Sequence, residues 1–206
     1  LVLGQLEAER SMRITGPDPA AGRLIINADN TSRVLDVQSG SFEMSNATVT
    51  AGTVSSGNGG AIQAAAGTAV SLTRVMVTNS MASGSGGGIH SAGALTLDST
   101  TVSGNTAGQF GGGIYSNTSE ALTLTNCTVS GNTADVDDGG GLMVQAGDAT
   151  LTHCTVTLND AASGGGIRSV PDTTVIANSL IAGNSAAAAA QDADGIFVSQ
   201  GTNLIG

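Results

Sequence analysis

Acidic residues are the part of this sequence that most directly suggests chemistry. Three of them lie close together in one short segment, Asp135, Asp137 and Asp138. Glycosidases use pairs of carboxylates, and carboxylate oxygens are the ligands that Ca²⁺ prefers. The segment 135–138 is therefore a weak Ca²⁺ candidate, and ordinary solvated carboxylates are the alternative interpretation. Three more acids follow in the corresponding later segments, Asp160, Asp192 and Asp194.

Catalysis would need acids that share one face of a strand, and the sequence does not supply such a pair. The residues that follow the glycine-rich runs are, in order, Gln63, His90, Tyr115, Met143, Arg168 and Phe197. This column contains no acid pair, and Arg168 is the one basic residue in the later segments. We assign no catalytic residue and no metal or cofactor, apart from the weak Ca²⁺ candidate. If the protein were an enzyme, we would expect a polysaccharide lyase or a glycosidase.

Threonine and serine recur on both sides of a column of valines. The predicted outward Thr/Ser face consists of Thr48, Thr50, Thr101, Ser103, Thr128, Ser130, Thr155 and Thr157. On neighbouring strands these side chains would form a grid spaced about 4.8 Å by about 7 Å. Such grids occur on ice-binding solenoids, whereas the simpler interpretation is that Thr suits the outer face of a strand. Met76, Leu180 and Ala182 interrupt the two files, which argues against ice binding.

Two further sets of polar residues repeat with the same period. Amides that recur every turn can hydrogen-bond to their copies, so we predict a structural ladder of Asn105, Asn132, Asn159 and Asn184, broken at the out-of-register Asn79. Cys127 and Cys154 are 27 residues apart and fall at equivalent inward positions. Side-by-side Cβ atoms give a disulfide an awkward torsion, so we predict a buried stack of free thiols, with a disulfide as the alternative.

The elements that position these residues follow from an internal repeat. The segment from Ala94 to Ile114 is repeated from Ala121 to Leu142. Apolar residues recur in one column at Val49, Val77, Val102, Val129, Val156 and Ile181, and the glycine-rich runs end at Leu35, Ile62, Ile89, Ile114, Leu142, Ile167 and Ile196. Each period of 25 to 29 residues has room for three short strands but not for a helix. The sequence therefore predicts an all-β, right-handed parallel β-helix of about seven turns.

Composition agrees with one elongated domain. Aromatic residues make up 2% of the chain, so the core must consist of stacked aliphatic side chains. We predict irregular first turns over residues 1–40, with strands at Leu1–Leu3 and Met12–Thr15, and regular repeats over 41–206. No capping helix follows the last repeat, so we expect the solenoid to continue or to be uncapped there.

Charge excludes some partners. Six arginines, no lysine and 16 acidic residues give a net charge of −10, which repels nucleic acid and anionic membranes. There is also no apolar run long enough to insert into a membrane. We expect neither nucleic-acid binding nor membrane insertion.

The repeats resemble those of a known group of proteins. Gly59-Gly60-Ala61-Ile62 and the Val-Ser-Gly-Asn segments at 102–105 and 129–132 are similar to repeats of bacterial right-handed β-helix surface proteins, and more distantly to chlamydial polymorphic outer-membrane proteins. The resemblance implies a secreted or surface-displayed bacterial protein. An aromatic residue stands three positions before Asn in the chlamydial repeats, where this chain has Val102 and Val129.

Taken together, these features predict a non-catalytic structural or adhesive module of a secreted bacterial surface protein. The expected partners are further copies of the chain, joined end to end into a fibre or array, or an extracellular glycan or protein. Two alternatives stay open: a β-helix that binds or degrades polysaccharide, and an ice-binding solenoid that uses the Thr/Ser face.

Overall fold

The chain coils into a parallel β-solenoid. The computed structural model describes residues 4–188 and 190–206, in which 28 strands pair in parallel and the one helix is the three-residue 3-10 helix Pro19–Ala21. Apart from the first and last strands of each sheet, every strand pairs with the strand one turn earlier and the strand one turn later. The result is a right-handed parallel β-helix of about seven turns, as predicted. None of the described residues forms a helix of the length and apolar character that a membrane span requires.

Each turn has four sides, which we number in chain order. The first side contains Leu6–Ala8, Leu35–Val37, Ile62–Ala64, Ile89–Ser91, Ile114–Asn117 and Leu142–Ala146. The second side contains Met12–Thr15, Ser41–Ser45, Ala69–Thr73, Ala94–Asp98, Leu122–Thr125 and Ala149–Thr152. The long strand Ile167–Ala177 runs across both sides and joins them into one 14-stranded sheet, and Ala193–Gln200 pairs along it.

The other two sides form separate sheets. The third side contains Leu24–Asn27, Ala47–Thr50, Met76–Thr78, Thr101–Ser103, Thr128–Ser130, Thr155–Thr157, Leu180–Ile181 and Leu204–Ile205. The fourth side contains Thr53–Val54, Met81–Ala82, Thr106–Ala107, Thr133–Ala134, Asp160–Ala161 and Ser185–Ala186. The three strands predicted for each turn are present, and the two-residue fourth side adds to them.

Single residues with positive φ make the corners on both sides of the third side. The corner before it uses Asn46, Arg74, Ser99, Asn126, His153 and Asn178, and the corner after it uses Ala51, Asn79, Gly104, Gly131, Leu158 and Gly183. Glycine and asparagine tolerate this left-handed conformation best, which explains why they fill most of these positions. One residue at each of these two corners keeps the strands of the third side in register from turn to turn.

The core consists of columns of like residues stacked along the axis. The valine column predicted from the repeat is fully buried, and so are Leu72, Leu97, Leu124 and Leu151 in the column five residues earlier. Full burial of one such side chain contributes about 1.5–3 kcal/mol. Among the described residues, Phe42 is the one fully buried aromatic ring of this core, with an exposure of 0%, and the partly buried Phe197 packs against the core.

The first turns use the same sheets as the rest. Met12–Thr15 forms the predicted strand and pairs with Ser41–Ser45, and Leu6–Ala8 pairs with Leu35–Val37. The other strand predicted in this region, Leu1–Leu3, lies outside the described residues.

Candidate functional site

The outward residues of the first side form one continuous file. In register along the axis they are Glu7, Asp36, Gln63, His90, Tyr115, Met143, Arg168 and Asp194. The sequence predicted Phe197 at the end of this file, and this prediction is wrong. Phe197 pairs with Thr174 on the second side, and Asp194 takes the position beside Arg168.

The reason for this shift lies in Asp192. Its Oδ1 accepts hydrogen bonds from the main-chain N and the Nδ2 of Asn184, at 2.9 and 2.8 Å. Its carbonyl accepts a bond from the N of Ile167, which fixes the next residue, Ala193, opposite Ile167. Ile196, expected as a core residue after Gly195, is therefore 59% exposed.

An aromatic cluster occupies the middle of the file. The rings of His90 and Tyr115 stack with centroids 5.1 Å apart, and Phe110 lies 6.2 Å from Tyr115. Gln63 Nε2 donates to His90 Nδ1 at 2.9 Å, which places the imidazole proton on Nε2. Burial, assisted by the positive charge of Arg33, lowers the pKa of His90 to about 4. The cluster is uncharged at neutral pH.

Charged groups lie at the two ends of the file, and each has a partner. Arg33 Nη1 is 3.5 Å from Asp36 Oδ2, and Arg33 also donates to the carbonyls of Asn58 and Gly59. Burial lowers the pKa of Arg33, although Asp36 opposes this shift. At the other end, Arg168 pairs with both Asp138 and Asp194. These ion pairs bracket the neutral aromatic cluster.

The weak Ca²⁺ candidate does not come together as one site. Asp138 faces Arg168, with Oδ2 3.6 Å from Nε, whereas Asp135 is exposed and Asp137 is half-buried. Within residues 4–188 and 190–206, no three acidic, histidine or cysteine side chains converge in a way that could hold a metal ion.

The four asparagines lie on top of one another in the interior. Nδ2 donates to Oδ1 of the next residue from Asn105 to Asn132, from Asn132 to Asn159 and from Asn159 to Asn184, at 2.9–3.0 Å. Each Oδ1 also accepts from the main-chain N of the turn before. The series begins at Ser80 and ends at Asp192. Ser80 occupies the equivalent position in the earlier turn, and Asn79 lies one residue before it, as its spacing predicted.

The two cysteines belong to a second interior series, which is held by hydrogen bonds that the sequence did not predict. Both are free and buried, and each thiol contacts main-chain carbonyls: Cys127 Sγ lies 3.2 Å from Thr125 O, and Cys154 Sγ lies 3.4 Å from Thr152 O. Thr100 and Ser179 donate their hydroxyls to equivalent carbonyls. A hydrogen bond with Cys154, and then burial, raise the pKa of Cys127. Thr100 and Ser179, which lie in the same column as the cysteines, are the signal from which these hydrogen bonds could have been predicted.

The Thr/Ser face lies on the third side in the predicted files. Thr101, Thr128 and Thr155 are in register, as are Ser103, Ser130 and Thr157. Thr48 and Thr50 lie two turns before Thr101 and Ser103, with Met76 and Thr78 between them. All eight predicted side chains are half-buried.

Comparison with known proteins gives one match. A family model described as right handed beta helix region matches residues 37–205. No curated protein and no solved structure matches the chain.

Proposed function

Because this chain belongs to the right-handed β-helix family, we propose that it is a non-catalytic structural and adhesive module of a secreted bacterial surface protein. The observation that carries the proposal is the buried hydrogen-bond series from Ser80 to Asp192. It links successive turns through side chains as well as through the sheets. A solenoid linked in this way acts as a stiff rod of about 30–35 Å, at about 4.8 Å per turn.

The adhesive contact that we propose is with an extracellular glycan on the first side. Tyr115 and Phe110 are half-buried and offer ring edges beside the buried His90, in a part of the surface that is neutral at pH 7. Aromatic side chains supply large contact areas at low entropic cost. A neutral polysaccharide suits this cluster better than a polyanion, because the chain carries a net charge of −10.

This proposal is tested by binding to immobilised neutral polysaccharides. We expect Tyr115→Ala to weaken binding about tenfold, because an aromatic anchor is worth more than about 1 kcal/mol. Thr123→Ala on the second side is the matched control and should bind like the native protein. Equal binding by both variants contradicts the glycan contact. The non-catalytic role is contradicted if the native protein cleaves the polysaccharide, seen as new sugar ends, and if the Asp194→Asn variant does not.

End-to-end association with further copies is part of the same proposal. The strand Ala193–Gln200 pairs with Ile167–Ala177 and carries exposed Ile196 and Val198, and the edge of such a strand can pair with another chain. Growth by this route is open-ended, so light scattering should show particles that lengthen with concentration. A strictly monomeric particle at all concentrations contradicts it.

A further inference from the structure

Among the described residues, the strands of the third side carry no charged side chain, and the charges at its rim include those of the corner residues Arg74 and Asp29. Its outward residues, in two files, are Ile25, Thr48, Met76, Thr101, Thr128, Thr155, Leu180 and Leu204, and Asn27, Thr50, Thr78, Ser103, Ser130 and Thr157. The other sides all carry charges, such as Asp36 on the first, Glu43 on the second and Asp160 on the fourth. In a chain with a net charge of −10, this is the side that another copy can approach without burying a charge.

The same side has apolar residues near both of its ends. Ile25 is 64% exposed at one end, and at the other Leu180 and Leu204 are 37% and 64% exposed. Thr101 and Thr128 lie in the middle of the file. At the rim, next to Thr157, Leu158 is 71% exposed although its φ of 58° is costly for leucine.

We infer that two copies pair through their third sides with the rods antiparallel. The two copies are related by a two-fold axis in the contact plane. This axis is perpendicular to the rods and passes between Thr101 and Thr128. It places Ile25 of each copy opposite Leu204 of the other. Thr101 then faces Thr128 of the other copy. Parallel rods would instead place Ile25 opposite Asn27, so the apolar residues favour the antiparallel pair.

The size of the face sets the strength of the pair. Eight strands spaced about 4.8 Å apart give a face about 34 Å long, and with a width of about 12 Å it covers about 400 Å² per copy. Interfaces below about 1,200 Å² in total are weak and transient. The pair is therefore weak in solution and becomes strong where many copies on two facing surfaces meet, because rods from facing surfaces run antiparallel. It depends on the third side alone and not on glycan binding by the first.

Sedimentation velocity over a range of protein concentrations tests the pairing. We expect the native protein to form a side-by-side dimer reversibly, separate from any growth at the rod ends. Thr128→Glu should weaken this dimer by at least about tenfold, because the substitution puts like charges at the two-fold axis. Thr123→Glu, with the same charge change on the second side, should dimerise like the native protein. A mixture of Thr128→Glu and Thr128→Arg should recover the dimer, which shows that both proteins are folded.

Three results would overturn the inference. The first is a native protein that stays monomeric at every concentration. If that monomer also arrests ice growth, the third side is an ice-binding face. The second is open-ended growth that Thr128→Glu leaves unchanged, which would assign association to the rod ends. The third is an equal effect of Thr123→Glu and Thr128→Glu.

Discussion

At the scale of single residues, the buried asparagines contribute most to the specificity of the fold. Asn132 accepts from the main-chain N and Nδ2 of Asn105 and donates to Val102 O and Asn159 Oδ1. Its side chain thus uses both its carbonyl oxygen and its amino group at an exposure of 0%. Removal of such a group leaves several buried donors and acceptors without a partner.

We therefore expect Asn132→Ala to lower the free energy of unfolding by about 3–5 kcal/mol, since each unsatisfied buried group costs about 1–3 kcal/mol. Thr123→Ala, on a half-exposed strand position, should cost less than about 1 kcal/mol. Chemical denaturation of both variants measures the difference. Equal losses would show that the ladder adds little beyond packing.

The cysteines act as hydrogen-bond donors in the same interior, so a hydroxyl should replace either thiol. Cys127→Ser keeps the contact with Thr125 O and should change the free energy of unfolding by less than about 1.5 kcal/mol. Cys127→Leu overfills a position that is 2% exposed and should cost about 1–3 kcal/mol. Thermal denaturation of the two variants under reducing conditions provides the comparison.

The burial of His90 predicts a pH dependence of stability. Its pKa is lowered to about 4 in the folded chain, from 6.5, so the unfolded chain binds more protons between these values. Stability is then complete above pH 6.5, falls as the pH drops and levels off below about 4, with a loss of about 2 kcal/mol between pH 7 and pH 5. Denaturation at several pH values measures this loss, which should disappear in His90→Gln. A loss that persists in His90→Gln would point to other groups.

At the scale of strands and corners, the cost of a turn depends on its single left-handed residue. Leu158 occupies a corner position that Gly104, Gly131 and Gly183 fill in neighbouring turns. Leucine at such a φ costs about 1–2 kcal/mol, part of which glycine recovers.

Leu158→Gly should therefore raise the free energy of unfolding by about 0.5–1 kcal/mol. The reverse change at the equivalent corner, Gly131→Leu, should lower it by a similar or larger amount. Both are read from denaturation midpoints. A loss of stability in Leu158→Gly would mean that the exposed leucine packs against its surroundings more than its 71% exposure indicates.

The sequence predicted the elements well where each turn repeats the same residues. The valine column and the asparagines share one period, so their stacking follows directly from spacing. The prediction failed at Gly195-Ile196, which has the same residue types as the end of a glycine-rich run. The register there is set instead by the hydrogen bonds between Asp192 and Asn184. The fourth side was missed because two residues per strand carry too little alternation to detect.

The candidate site was harder to predict than the fold. The stacking of His90 on Tyr115 follows from register, but Phe110 reaches Tyr115 from a loop whose path no repeat fixes. The pairing of Arg168 with Asp138 and Asp194 likewise depends on loop paths and on the corrected register. Side-chain partners across unequal loops are not encoded in a periodic pattern.

At the scale of the whole molecule, stability is a sum over turns and their contacts. Removal of residues 105–131 joins Gly104 to Asn132 and takes out one complete turn without a change of register. We expect this shortened protein to fold, with a maximum dimension smaller by about 4.8 Å in X-ray scattering. A deletion of 14 residues from the same place, about half a turn, should not fold. Failure of both deletions to fold would show that the turns are not interchangeable.

The asparagine series also makes the rod electrically unequal at its two ends. Each amide from Asn105 to Asn159 donates one Nδ2 hydrogen to the Oδ1 of the next turn, and the dipoles of these aligned amide–amide bonds add along the axis. The positive end of this internal dipole meets the carboxylate of Asp192, much as an acidic side chain caps the amino end of an α-helix. An ion that approaches the rod along its axis therefore meets a different potential at each end.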